Sequence, residues 1–314
     1  MPEVSVIIPN YNHAAFLRKR IESIIQQTYS DFEIIILDDH SSDDSRNIIE
    51  EYRHHKKVSR IIYNEENSGS TFAQWKKGIE VISGRYIWIA ESDDYCDLSF
   101  LETAMHELRT GSDIFCALPV IVDENDRIAG ETNPWLDERS TVRWKEGFTR
   151  PAFEEATDML FIKNTIPNAS AVVFRKHDLI GNFLNEINGM KYFGDWLFWL
   201  FYLLNAERFT FSPDVRSYFR KHSSATRFRA DHNLRNKEAL TVAKFILKHR
   251  SSYGKRAFIT RYFLKEHIYV YPRRNIGKNI RQAWELTNVS VRFLPLWVRY
   301  FFTGKIVLHL DNKG

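Results

Sequence analysis

Glu91, Asp93, Asp94 and Asp97 set four carboxylates within seven residues, where the apolar run Tyr86 to Ala90 ends. Acids this close repel one another by roughly 1 kcal/mol per pair even in water, and by several times that where water is partly excluded. Such a cluster calls for a positive partner. Carboxylates at the exit of a strand suit a hard divalent cation, Mg²⁺ or Mn²⁺, which keeps open positions for substrate phosphates. The plainer alternative is a solvated acidic loop with Asp97 capping a helix over 98–108. Two further acidic features stand apart. Asp38 and Asp39 close the run Phe32 to Leu37, and Asp195 precedes the apolar stretch Trp196 to Leu204.

The elements that must position these acids follow from hydrophobic periodicity. Val4 to Pro9, Phe32 to Leu37, Val58 to Tyr63 and Tyr86 to Ala90 read as short buried strands. Helical spacing falls between them, over Ala14–Gln27, from an N-cap at Ser41, Ser42 or Asp43 through Tyr52, and over Phe72–Ile82. Strands and helices that alternate with short connections predict a mostly parallel α/β sheet. In such sheets ligands bind beyond the carboxyl ends of the strands. Here those ends are Pro9-Asn-Tyr-Asn, Asp38-Asp39 and Glu91 to Asp94. From 113 to 175 the pattern turns to strand-like segments, Ile114 to Val122 and Ala171 to Phe174. The loop between them, rich in Trp, Pro and charge, is expected to cover the rim. A helix over Asp195–Asn205 follows, and beyond Asp231 the pattern is helical and basic.

Composition excludes disorder: of 314 residues, 44% are apolar, 14% aromatic and 27% charged. Cys96 and Cys116 have neither metal-type nor redox-type spacing, which predicts structural thiols in a reducing compartment. The N-terminus carries no basic leader or apolar core, and no window reaches 18 apolar residues. The expectation is a cytoplasmic protein, with peripheral contact as its one route to a membrane. Net charge is only +4, but residues 216–314 hold 22 Lys and Arg against 5 Asp and Glu, a local +17. A basic tail of that kind seeks an anionic partner.

Four blocks, VSVIIPNYNHAAFL, IIILDDHSSDDS, NSGSTFAQWKKGI and GRYIWIAESDDYCD, run in order across residues 3 to 97. Together they resemble the successive signatures of family 2 glycosyltransferases, which have the nucleotide-diphospho-sugar-binding GT-A fold. The likeness extends through GDW at 194–196 and YFRKH at 218–222. It implies sugar transfer from a nucleotide-diphosphate donor with inversion, aided by a divalent metal. It also implies a catalytic domain over 1–225, with a nucleotide-binding half over 1–110 and an acceptor-binding half over 111–225. A basic helical region would then occupy 226–314.

By the same resemblance, Asp94 would coordinate the metal and Asp93 would contact ribose or sugar, with Glu91 shaping the site. Pro9 would be among the residues that bind the nucleotide-sugar, Tyr11 would lie against the base, and Asp39 would read a uracil N–H. Trp75 stands where the family commonly has arginine, so Lys76 or Lys77 is left to supply charge near the diphosphate. Arg220 would reach the diphosphate and His222 the metal. Inverting transfer needs a carboxylate to take the acceptor proton, and Asp195 is the candidate. The implied partners are a UDP-sugar and a glycan or lipid-linked acceptor, in bacterial surface polysaccharide synthesis. No nucleic acid is expected. The C-terminal stretch Val289–Phe302 suits either contact with anionic lipid or packing on the catalytic domain or a homodimer partner. Two alternatives stay open: a nucleotidyltransferase, whose glycine-rich basic loop after strand one is missing here, and a non-enzymatic binding module using the basic tail.

Overall fold

In the structure, a computed structural model, residues 1–129, 143–166, 168–222, 231–249 and 275–289 are described, together with 268, 295, 297, 298 and 301. Nine strands form one sheet: β1 Val4–Asn10, β2 Phe32–Asp38, β3 Val58–Tyr63, β4 Tyr86–Ile89, β5 Tyr95–Cys96, β6 Ile114–Val122, β7 Phe148–Pro151, β8 Val172–Arg175 and β9 Arg208–Arg220. Their order is β3-β2-β1-β4-β8-β6-β9-β5, with β7 on β9. The first four strands are parallel, as their alternation with helices demands. The sheet as a whole is mixed, because β8 runs antiparallel between β4 and β6, and β5 and β7 run antiparallel to β9.

Alternation along the strands sorts the core into two layers. Val4, Val6, Ile8, Ile34, Ile36 and Trp88 face helices α1 (Ala14–Ile25), α2 (Ser45–Glu51) and α4 (Phe100–Arg109). Ile7, Ile35, Leu37, Ile87 and Ile89 face α3 (Thr71–Ile79), α6 (Ile180–Ile187) and α7 (Gly194–Leu204). Between these lies the short α5 (Ala152–Glu155), which runs on as a π-turn over Ala156–Leu160. The 123–170 segment is therefore not simply a rim-covering loop, since its described part supplies β7 and α5. Residues 130–142 lie outside the described residues.

Several local expectations shift for identifiable reasons. Helix α2 starts at Ser45 because Asp43 is engaged otherwise, accepting hydrogen bonds from the backbone N–H of Ser45 and, across the loop, of Ala14. Asp97 caps no helix. Its carboxylate accepts from the Arg216 N–H and the Tyr218 hydroxyl, which ties the loop after β5 to β9. Gly84 admits no side chain: a Cβ there would sit 2.7 Å from Ser5 N and 2.8 Å from Val4 C. Beyond β9, α8 (His232–His249) buries Ala239, Val242, Ala243 and Ile246 in the same core as Trp199, so it is part of the body rather than a detached basic appendage. A last described helix, α9, spans Ile276–Val289.

Candidate active site

In the order β3-β2-β1-β4 the chain reverses direction of winding between β1 and β4, and a crevice opens there at the carboxyl ends. Proline at position 9 suits this opening. The Ile7 carbonyl accepts from Ala90 on the β4 side, and Pro9 has the same parity, so its missing N–H faces the gap where β4 has already stopped. The Pro9 side chain is itself buried within β1, and by the same parity its carbonyl faces that gap.

Into this crevice β1 delivers His13, the β4–β5 turn delivers Asp93, and the end of β9 delivers His222. His222 Nε2 lies 2.9 Å from Asp93 Oδ2, and the two imidazoles meet edge to face at 5.2 Å between centroids. One ligand atom from each of His13, Asp93 and His222 falls within 4.8 Å of the others. Donors on one ion at about 2.1 Å lie no more than about 4.2 Å apart, so these three fit a divalent cation after a shift of well under an ångström. Two imidazoles and a carboxylate suit a first-row transition ion, Mn²⁺ among them, better than Mg²⁺. His13 is also fixed from behind by Ser92 Oγ at 2.8 Å from Nδ1. Hydrophobic periodicity and motif spacing do not single out His13. The one signal was its place on the first rim segment, opposite the acids.

Asp93 is the carboxylate brought into that cluster, whereas Asp94 turns inward. Asp94 is 2% exposed and accepts from the Arg220 N–H at 3.0 Å and from Asn168 Nδ2 at 3.2 Å. This geometry moves the metal-ligand expectation from Asp94 to Asp93. Electrostatics separate the two acids. Burial works against ionisation of Asp93, but the His222 hydrogen bond and the neighbouring imidazoles outweigh it and hold the carboxyl low. Burial, then the Asp93 charge, push Asp94 up to about 6. Glu91 is raised further, to about 8, by burial and by Asp93, although Trp75 Nε1 donates to its Oε1 at 2.8 Å. Trp75 thus supplies a neutral donor that steers Glu91.

Arg220 does not present a phosphate fork. Its guanidinium is 2% exposed, with Nε on the Asp93 carbonyl at 2.8 Å, Nη1 on the Asp123 carbonyl at 2.9 Å and Nη2 on Asp126 at 2.6 Å. It shapes the acidic turn instead. Lys76 likewise leaves the site, pairing with Glu80 one turn along the solvent side of α3. Asp39 has both oxygens taken by five donors, from Asn64, Asn67, Gln74 and the backbone and hydroxyl of Ser68. A carboxylate has about four lone-pair sites, so Asp39 builds a wall rather than offering an open acceptor. An open depression of about 520 Å³ beside it, lined by Tyr63, Asn64, Ser68 and Gln74 among others, shares no residue with the histidine–aspartate cluster. Tyr11, by contrast, is 47% exposed on the rim.

Asp195 stands in the first turn of α7, where burial raises its carboxyl to about 6 against hydrogen bonds from the Trp196 N–H and from Asn164. Asn164 donates to Asp195 and Asn168 to Asp94. Four residues of chain reach at most about 14 Å, so one short segment, unforeseen from sequence, ties the α7 acid to the acids after β4.

With this geometry in hand, similarity to known proteins is informative. The family model described as Glycosyl transferase family 2 matches residues 5–179. The chain is 38% identical over 93 residues to TuaG of Bacillus subtilis (strain 168), whose name assigns it a glycosyltransferase role in teichuronic acid biosynthesis; the match covers 30% of this chain and 36% of that protein. It is 30% identical over 111 residues to the GalNAc(5)-diNAcBac-PP-undecaprenol beta-1,3-glucosyltransferase of Campylobacter jejuni subsp. jejuni serotype O:2 (strain ATCC 700819 / NCTC 11168), covering 35% of this chain and 36% of that one. The chain thus spans little more than a third of the length of these relatives. Its fold is similar to that of S. aureus TarS 1–349, solved in complex with UDP-GlcNAc, with TM-score 0.66 at 18% identity over 96% of this chain and 92% of the other.

Proposed function

The chain belongs to glycosyl transferase family 2, and on that basis we propose that it moves a sugar, with inversion, from a UDP-sugar to a hydroxyl of a bacterial surface glycan, free or lipid-linked. The observation that carries this reading is the convergence of His13, Asp93 and His222 at the crevice between β1 and β4. Family membership displaces the nucleotidyltransferase and binding-module alternatives. The names of TuaG and of the Campylobacter enzyme support a glycan acceptor, and the UDP-GlcNAc held by TarS supports a UDP donor.

In this reading His13, Asp93 and His222 hold a divalent ion, which would offset the negative charge that builds on the departing nucleoside diphosphate. Tyr11 lies against the base and Asp39 stiffens the wall beneath it. Asp195, ionised, accepts the proton of the acceptor hydroxyl from the side opposite the diphosphate. Thermal-shift titration with UDP, GDP, CDP and dTDP, each with and without Mn²⁺, tests the donor assignment. UDP with Mn²⁺ is expected to stabilise most, by about 2.7 kcal/mol at a hundredfold excess over Kd. A larger effect of another nucleotide would replace UDP, and no effect of any would remove the donor site.

Peripheral membrane contact belongs to the same proposal. Among the described residues no helix is long and apolar enough to cross a membrane. On α9, Ile280 and Trp284 are 64% and 69% exposed, one turn apart and beside Lys278 and Arg281. An apolar pair set in a basic region suits an anionic lipid surface. The intact protein is expected to sediment with phosphatidylglycerol vesicles at low salt, and the Ile280→Ser, Trp284→Ser double variant to remain largely in the supernatant. Equal sedimentation of both would exclude this face. Residues 290–294, 296, 299, 300 and 302, in the stretch whose sequence suits docking, lie outside the described residues.

A further inference from the structure

Glu238 sits on α8, beyond the segment that the family model matches, and is 3% exposed. Its carboxylate accepts hydrogen bonds from three consecutive backbone amides, Lys191 at 2.8 Å, Tyr192 at 2.8 Å and Phe193 at 3.1 Å. A buried carboxylate is costly unless such donors surround it, and a run of amides turned inward makes a concavity fitted to an anion. The next two residues along the chain are Gly194 and Asp195. Gly194 packs flush on the Phe72 ring of α3, too close to admit a Cβ. The turn carrying Asp195 is therefore gripped at two points, by an aromatic ring of the nucleotide-binding half and by a carboxylate of α8. Other contacts from α8 and its start reinforce the grip: the Asp231 N–H donates to the Tyr192 hydroxyl at 3.1 Å, and the Arg235 guanidinium lies over the Phe193 ring at 5.6 Å.

We propose that Glu238 is a positioning residue for sugar transfer: it clamps the 191–193 turn so that Asp195 keeps its place beside Asn164, which makes α8 part of the active site's support. This rests on the reading of Asp195 as the base. A misplacement of about 1 Å at a distance from the chemistry can cost about 100-fold in rate, and releasing three amides at once permits such a movement. Glu238 acts on Asp195 through charge as well. The groups at this corner among the described residues include Glu238, Arg235 and Asp231 from α8 and its start, Lys191 on the turn itself, and the uncharged Asn164. The negative charge of Glu238 favours the protonated form of Asp195, a smaller effect than burial.

The test compares Glu238→Ala, Glu238→Gln and Asp195→Asn by turnover of UDP-GlcNAc, by UDP binding, and by hydrogen exchange of peptides spanning 190–197. Glu238→Ala is expected to lower kcat by about 10- to 100-fold, with donor KM unchanged and exchange at 191–193 accelerated. Glu238→Gln keeps the side-chain shape, so a failure of the alanine variant to fold leaves the test intact. Its kcat should fall less, and its pH midpoint should move down, because a negative neighbour has been removed. A kcat and midpoint equal to wild type in Glu238→Gln, with only thermal stability lowered, would overturn the positioning role. Turnover by Asp195→Asn near the wild-type rate would instead overturn the base assignment, a result read independently of the Glu238 variants.

Discussion

Asp195→Asn is expected to lose about 10²- to 10⁴-fold in turnover while still binding UDP with Mn²⁺, the range that a general base contributes. Asparagine preserves shape and the Asn164 neighbour but accepts no proton. The pH profile carries the same signature. Burial raises the Asp195 carboxyl from its ordinary 3.8 to about 6, and only the ionised form is a base. Wild-type kcat should therefore rise tenfold per pH unit up to about pH 6 and level off above it. Stability should move the other way. A carboxyl whose folded value exceeds its unfolded one favours folding when protonated, so its support is present below about pH 4, fades between 4 and 6, and is absent above. At pH 7.5 the neutral asparagine should thus unfold later than wild type, by of order 1–3 kcal/mol, since a tenfold change in proton affinity is worth about 1.4 kcal/mol. A dead but stabilised variant is what a desolvated functional carboxylate predicts. An active Asp195→Asn, or one less stable than wild type at pH 7.5, would count against the assignment.

Substitution at Asp93 and at Asp94 should separate two acids that the sequence alone cannot tell apart. Asp93→Asn and His222→Ala are expected to weaken Mn²⁺ binding by at least about 10- to 100-fold, a loss seen even when outer partners of a metal ligand are removed. Asp94→Asn should keep the Mn²⁺ response, because that side chain faces Asn168 and the Arg220 N–H rather than the imidazoles. Isothermal titration with Mn²⁺, in the presence and absence of UDP, reads the difference directly. Ligating imidazole and carboxylate must be deprotonated, so affinity should fall as the pH is lowered. The reverse pattern, with Asp94→Asn blind to Mn²⁺ and Asp93→Asn responsive, would return the metal to Asp94.

Much of the frame was legible from periodicity. Four apolar runs of strand length separated by helical spacing leave little choice of fold, and the observed β1 to β4 differ from the expected spans by a residue or so. The mixed character of the second half was not legible, because strand direction depends on which partner a segment finds, and β8 inserts between β4 and β6 from about 80 residues beyond one and about 50 beyond the other. Side-chain roles separated in the same way. Arg220 has the chemistry of a phosphate binder, yet its three nitrogens are committed to the 93 carbonyl and the 123–126 turn. His13 has the look of a loop residue, yet β1 places it opposite Asp93.

Local spacing was enough to establish an α/β protein with its polar residues gathered at one rim and with the ordered motifs of family 2. Such properties are enforced by the chain's own geometry, whatever its partners. Folding in three dimensions was needed to show which of the adjacent Asp93 and Asp94 faces two histidines, which basic residues are spent on structure, and that Glu238, about 40 residues after Asp195, grips the turn in front of it. Burial, hydrogen-bond saturation and charge proximity are properties of what surrounds a side chain, and those surroundings come from segments remote in sequence.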